Sequence, residues 1–316
     1  MKNIIQEQIF PFLPQELRSL LSAIPEEKLA AAEELRLRPA VPPLLRFADS
    51  EAFVGKGGLL TDDPGCGMLF SNEELRKTVL LLTDSSFYAL EEELRRGYVT
   101  LPGGHRAGLC GRAVLHNGRI RTLREISAVN IRVARPLRGL AAPLLPRLLD
   151  KEGRLQHTLI VAPPRAGKTT LLRDLTCAVS NGEGIAPMRV GLVDERSELA
   201  ALRCGIPQLP VGSRTDVLDG CPKAEGIGML LRAMGPELLV CDEIGREEDA
   251  LAVEDAINAG VRLLLSAHCG SSDELHSRPV LKRLMREKAF DRIIMLSRRQ
   301  GPGTVEWIKD GAMQPC

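Results

Sequence analysis

Gly167, Lys168 and Thr169 follow one another in the stretch VAPPRAGKTT (161–170). A residue without a side chain, an ammonium and a hydroxyl in that order are the parts of a phosphate-binding loop. Such a loop works by aiming successive backbone N–H groups and a helix N-terminus at an anion. Proline has no N–H, so Pro163 and Pro164 shape the exit from the preceding strand and the donors come from Arg165 through Thr170. Pro164, Arg165, Ala166, Gly167, Lys168, Thr169 and Thr170 are therefore the stretch expected against a nucleotide. Lys168 is placed to bridge the terminal phosphates, and the Thr169 hydroxyl to ligate a magnesium ion. Ala162 stands where the first loop glycine is common; one methyl is tolerated there if its φ stays negative.

Further along, PELLVCDEIG sets Asp242 and Glu243 at the end of an apolar run. An acidic pair at the carboxyl end of a parallel strand is where an α/β sheet binds its ligands. Asp242 is assigned to magnesium and Glu243 to the attacking water. Two more apolar runs end in polar groups: VGLVDERSE gives Asp194, Glu195, Arg196 and Glu198, and LLLSAHCG gives His268, a side chain able to sense a terminal phosphate. Asp194 and Glu195 are counted with the nucleotide-contacting set, and His268 with the catalytic one. Arg165, Arg232 and Arg246 are expected near the same edge, and arginine suits the charge of a transferred phosphate. Of these Arg232 is assigned a catalytic role beside Glu243 and Lys168.

The elements that must hold these residues are readable as an alternation. LQHTLIVA, MRVGLVD, PELLVCDE, VRLLLSAH and RIIMLS are apolar runs of strand length, with helical patterns over 168–180, 227–234, 247–259 and 273–285. Continuous apolar strands separated by helices predict a parallel sheet covered on both faces, here an α/β domain over 155–316. Residues 137–154 combine prolines and basic residues and read as a linker. Residues 1–136 form a smaller α+β domain: helices are expected over 72–83 and 87–96, and an antiparallel sheet follows, turned at Asn117-Gly118.

Composition narrows the class. The 316 residues are 44% hydrophobic and 26% charged, ordinary for a globular chain. A net charge of +1 and 3% aromatics argue against a nucleic-acid groove or base-stacking platform, so no stable nucleic-acid partner is expected. Eight cysteines form no CxxC pair, which leaves zinc and dithiol chemistry without support. Neither a signal peptide nor an apolar run of membrane-spanning length is seen, and the expectation is a soluble, cytoplasmic protein.

The sequence resembles the stage III sporulation protein AA family of endospore-forming bacteria. The likeness rests on EELRLRP (33–39), YALEEELRRGYVTLPGGHRAGLCGRAV (88–114), NIRVARP (130–136), PPRAGKTTLLRD (163–174), VDERSELA (193–200), VGSRTDVLDGCPKAEGI (211–227), DEIGREEDA (242–250), SAHCGS (266–271) and LSRRQGPGTVE (296–306). That family is similar to the hexameric ATPases of type II and type IV secretion. The resemblance implies ATP and magnesium as cofactors, an acidic box at Asp194–Glu198 and a histidine box at His268. It implies a homo-oligomer, a hexamer by likeness, in which arginines of the N-terminal domain reach a neighbour's nucleotide; Arg106, Arg112 and Arg132 are the candidates. It also implies membrane proteins of a channel between mother cell and forespore as partners, with the ATPase peripheral on the mother-cell side. The chain departs from those motors in Ala162 and in carrying Asp242. Two other uses of the loop stay open: a nucleotide-gated assembly scaffold with negligible hydrolysis, and a nucleic-acid-translocating ATPase.

Overall fold

The structure, a computed structural model, describes residues 3–83, 94, 95 and 97–314. It divides into two compact units, Met1–Arg135 and Pro136–Cys316. The helix expected over 87–96 lies outside the described residues, apart from 94 and 95.

The first unit is built on a seven-stranded sheet of β1 (Glu34–Leu37), β2 (Leu44–Arg46), β3 (Glu51–Val54), β4 (Leu60–Thr61), β5 (Tyr98–Thr100), β6 (Arg106–His116) and β7 (Arg119–Arg132), in the order β4-β3-β2-β1-β7-β6-β5. Every pairing is antiparallel. Asn117 and Gly118, both at positive φ (50° and 73°), make the tight turn that sets His116 opposite Arg119. Helices α1 (Gln15–Ser22), α2 (Glu26–Ala31) and α3 (Asn72–Leu82) bury Leu17, Leu21, Leu29, Leu75 and Val79 in the same core as Leu35, Val99 and Ile131. α3 opens on a capping box: Ser71 Oγ accepts from Glu74 N–H at 3.1 Å, and the Glu74 carboxylate accepts from Ser71 N–H at 2.7 Å. His105 is fully buried; its Nδ1 accepts from Ala134 N–H at 2.8 Å, and its Nε2 lies 2.8 Å from Gln8 Oε1. Burial, helped by the Arg135 charge, pushes its pKa down from the ordinary 6.5 to about 4.

The second unit carries β8 (Thr158–Ala162), α4 (Lys168–Asn181), β9 (Val190–Asp194), β10 (Leu202–Arg203), β11 (Ile206–Pro207), β12 (Thr215–Asp219), α5 (Lys223–Ala233), β13 (Leu238–Cys241), α6 (Glu247–Asn258), β14 (Arg262–His268), α7 (Ser272–Ser277), α8 (Pro279–Arg286), β15 (Arg292–Ser297) and β16 (Thr304–Asp310). Its main sheet runs β12-β9-β13-β14-β8-β15-β16, parallel except for the antiparallel edge strand β16. Alternation along the buried strands sorts side chains to two faces. Leu159, Val161, Leu239, Leu263, Leu265 and Ile293 meet α5, α6 and α8 on one face. Ile160, Ala162, Val240, Leu264, Ile294 and Leu296 meet α4 on the other.

Three details differ from the pattern read in sequence. The single helix expected over 273–285 is two, because Pro279 supplies no N–H and Arg278 before it is extended (φ −75°, ψ 122°). β12 and β16 extend the sheet beyond the five expected strands; neither is a continuous apolar run, since each lies at an edge. Within 137–154, Ala141, Leu145 and Leu148 are buried in the core beside α4. The buried Asp174 of α4 accepts from Ala141 N–H at 2.7 Å and pairs with Arg138 at 3.4 Å, which fastens this segment to the helix.

Candidate active site

The parallel strands all end at one edge, and the residues that follow those ends converge there. Ala162 closes β8 as a strand residue, opposite His268 of β14 and buried in the core; the chain turns only after it. Arg165 at φ 60° and Gly167 at φ 86° curl the loop, a left-handed conformation free for glycine and costing about 1 kcal/mol for arginine. α4 then begins at Lys168. The amides of Lys168, Thr169 and Thr170 open this helix and have no intrahelical acceptor, so they point outward as anion donors. Pro164 is exposed and has no N–H, so its contribution to a nucleotide is one of shape only.

Lys168, buried at 5% exposure, reaches Asp242 Oδ1 at 2.7 Å, Ser266 Oγ at 3.2 Å and Glu243 Oε1 at 3.3 Å. Thr169 Oγ1 donates to Asp242 Oδ2 at 2.7 Å. Burial by itself would raise the Asp242 carboxyl, but the Lys168 charge and the hydrogen bonds from Lys168, Ser266 and Thr169 outweigh it and hold its pKa below the usual value. Glu243 adopts φ 56°, and its backbone N–H donates to Ser266 Oγ at 3.0 Å. Its carboxylate meets two cationic side chains, Lys168 and Arg196 at 2.9 Å, and the His268 ring, whose Nε2 lies at 3.1 Å. His268 Nδ1 faces Ala162 O at 3.4 Å, so the ring bridges the end of β8 to Glu243. The buried Asp249 accepts from Gly245 and Arg246 N–H at 3.0 and 2.9 Å, which fixes the loop after Glu243 as the start of α6.

The acidic loop after β9 is held in place by its own hydrogen bonds and lies beside Asp242 and Glu243. Asp194 is buried and accepts from the N–H groups of Glu198, Leu199, Ala200 and Ala201 at 2.8 to 3.4 Å, so it organises the loop. Glu195 is paired with the buried Lys223 at the start of α5. Arg232 needs a plainer correction. It lies in the last turn of α5, a helix that starts beside Glu195 and runs back toward the opening of β13, so it sits at the opposite end of the sheet from Asp242. The reason is helix length: Arg232 lies nine positions after Lys223, roughly 14 Å of rise. Arg165 and Arg246 are exposed on the site edge.

In the first unit Arg106 stacks over the Tyr98 ring at 4.5 Å, Arg112 faces Glu125 at 3.6 Å and Arg132 faces Glu34 at 3.5 Å.

Two residues absent from the sequence reading, and a third named there without a role, prove central. Ser266 binds Lys168, Asp242 and the Glu243 backbone at once. Its signal was a hydroxyl in an otherwise apolar buried strand. Arg173 donates to the carbonyls of Leu199 and Glu198 at 2.7 and 2.6 Å, joining α4 to the acidic loop, and burial lowers its pKa. Arg196, within that loop, holds Glu243.

Magnesium suits the oxygen pair of Thr169 and Asp242, since a hard cation takes hydroxyl and carboxylate ligands and completes its shell with phosphates and water. Among the described residues no group of three His, Cys, Asp or Glu forms a protein-only metal cage.

A mostly parallel sheet with this loop at the end of β8, and an acidic pair at the end of a strand two places away, defines the RecA-like P-loop ATPase fold. Over residues 3–313 the chain matches the family described as sporulation stage III, protein AA, and it belongs to that family. It is 45% identical over 304 residues to stage III sporulation protein AA of Bacillus subtilis, spanning 96% of this chain and 94% of that one. An uncharacterised protein ycf45 of Cyanidium caldarium is 28% identical over 163 residues, 51% of this chain and 46% of that one. Among solved structures, the ATPase DotB of Yersinia pseudotuberculosis superimposes with a TM-score of 0.54 at 14% identity, covering 90% of this chain and 76% of that chain. The pilus retraction motor PilT with bound ADP gives a TM-score of 0.52 at 14% identity, covering 89% and 76%. At such identities the likeness is one of fold.

Proposed function

We propose that this chain is a magnesium-dependent ATPase that works as a homo-oligomer to energise a sporulation-specific channel between mother cell and forespore. The observation that carries the reading is the convergence of Lys168, Thr169, Asp242, Ser266, Glu243 and His268 at the start of α4. In this reading the α4 amides and Lys168 bind the phosphates, while Thr169 and Asp242 hold magnesium. The ion, when bound, neutralises charge on the β- and γ-phosphates. Glu243 orients the attacking water and accepts its proton, with His268 and Arg196 fixing the carboxylate. Asp194, Glu195 and Arg173 act one step back, by shaping the loop that presents Arg196.

Family membership supports the sporulation setting, and the fold of DotB and PilT supports a motor-like ATPase. By the same likeness the assembly is a hexamer, cytoplasmic and peripheral on a membrane complex, with channel membrane proteins as partners; the net charge of +1 and 3% aromatics argue against a stable nucleic-acid partner. Among the described residues no helix is long and apolar enough to cross a membrane. A scaffold without hydrolysis would follow if Ala162 and the paired prolines impaired the phosphate cradle. Ala162 is a paired strand residue outside the cradle, so that observation favours hydrolysis.

Phosphate release and mass in solution, measured with and without ATP and magnesium, test the proposal. Wild type is expected to hydrolyse ATP and to gain mass with nucleotide. Glu243→Gln is expected to lose about 100-fold or more in hydrolysis while still assembling with ATP, and Lys168→Ala to lose both. Full hydrolysis in both variants would sink the proposal, and assembly without phosphate release in wild type would replace it with the scaffold.

A further inference from the structure

The loop Arg298–Gly303 between β15 and β16 has no part in the phosphate chemistry above, yet it is seated on the phosphate loop. Gly303 N–H donates to Ala166 O at 2.9 Å, and a carbon added at Gly167 would lie 2.9 Å from the Gly303 nitrogen. The loop is also braced from within. Thr304 Oγ1 donates to Gly301 O at 2.7 Å, Gln300 N–H donates to Thr304 Oγ1 at 3.3 Å, and Arg299 pairs with Glu306 at 3.2 Å. Arg298 and Gln300 are exposed, and among the described residues their side chains have no hydrogen-bond or ion-pair partner.

Sheet order says what passes over this loop. Asp242 and Glu243 follow β13 and His268 ends β14, all on one side of β8; β15 lies on the other side. A triphosphate whose reacting end faces Glu243 therefore leads its nucleoside away from β14 and across the β15 flank. Arg298 is exposed on that flank, directly after β15. The segment from Ser297 to Thr304 contains no aromatic residue, so the planar face available to a base is a guanidinium, which stacks on aromatic rings as an ammonium does not.

We infer that Arg298 and Gln300 form the nucleoside subsite, the guanidinium plane of Arg298 lying on the base and the Gln300 amide available to its polar edge or to the ribose. This rests on the nucleotide-site reading, and it adds the residues that would distinguish a nucleotide from bare phosphate.

Calorimetric titration of the full chain with ATP and, separately, with inorganic tripolyphosphate, both with magnesium at ~0.15 M salt, tests it in wild type and in Arg298→Lys. The lysine keeps the charge and removes the planar face. The expected result is a loss of about tenfold in ATP affinity in Arg298→Lys, with tripolyphosphate affinity changed by less than about twofold. Unchanged ATP affinity, or equal losses for both ligands, would overturn the subsite while leaving the phosphate site standing. Failure of wild type to bind either ligand would overturn the nucleotide site itself and the subsite with it.

Discussion

Lys168 and Asp242 depend on each other before any catalysis is considered. Both are largely buried, and each is the other's nearest opposite charge at 2.7 Å. Removing one partner of such a pair strands the other in a poorly solvated place, at a cost of about 3 kcal/mol or more. Lys168→Ala is therefore expected to lower the denaturation midpoint of the nucleotide-free protein as well as abolish activity. Adding Asp242→Asn to it should recover part of the lost stability without recovering hydrolysis. Additive losses in this double-mutant cycle, followed by urea unfolding, would show that the pair is not coupled. The sequence made Lys168, Thr169, Asp242 and Glu243 legible because a spaced motif states their chemistry outright. Ser266 and Arg173 have no motif; their importance comes from what folding brings beside them. Arg232 was misplaced because helix length, which puts it at the far end of α5, does not show in residue type.

His105 shows how an element inside the first unit sets a pH limit. In the neutral ring Nδ1 accepts from Ala134 N–H, so Nε2 carries the proton and donates to Gln8. A second proton would set two donors against each other at Nδ1. The folded-state value of about 4 lies below the ordinary 6.5, so the unfolded chain takes up a proton first as pH falls. Stabilisation is complete above pH 6.5, is lost progressively toward pH 4, and changes no further below that. The total is at most about 3 kcal/mol. Urea unfolding across that window should show this decline, and His105→Gln should flatten it. At the scale of elements the sequence was most legible where strands are buried on both faces, as in β8, β13, β14 and β15. Edge strands β12 and β16 carry mixed residues because one side of each lacks a neighbour, and apolar continuity fails there. The Pro279 break between α7 and α8 was readable from that proline alone, since the amphipathic pattern continues across it.

For the whole molecule the boundary matters most. The composition of 137–154 reads as a linker, yet Ala141, Leu145 and Leu148 are buried with α4. Burying a leucine is worth about 1.5–3 kcal/mol, so truncation should report on the difference. A fragment beginning at Pro136 is expected to unfold cooperatively at a higher temperature than one beginning at Leu155, measured by calorimetry. Equal midpoints would return the segment to linker status. Prolines and basic residues misled here because they describe the exposed side of the segment, while its few apolar positions do the packing.

Asp174 gives α4 a second use. It lies six positions after Lys168, about 9 Å along a continuous helix. At the start of that rod stand the amides assigned to the phosphates; near its middle the Asp174 carboxylate clamps Ala141, just after the chain leaves the first unit. A helix of this length does not bend appreciably under small loads, so it behaves as a push-rod. Any travel at its phosphate end is passed on to the point where the incoming chain is bolted down, with no gearing in between.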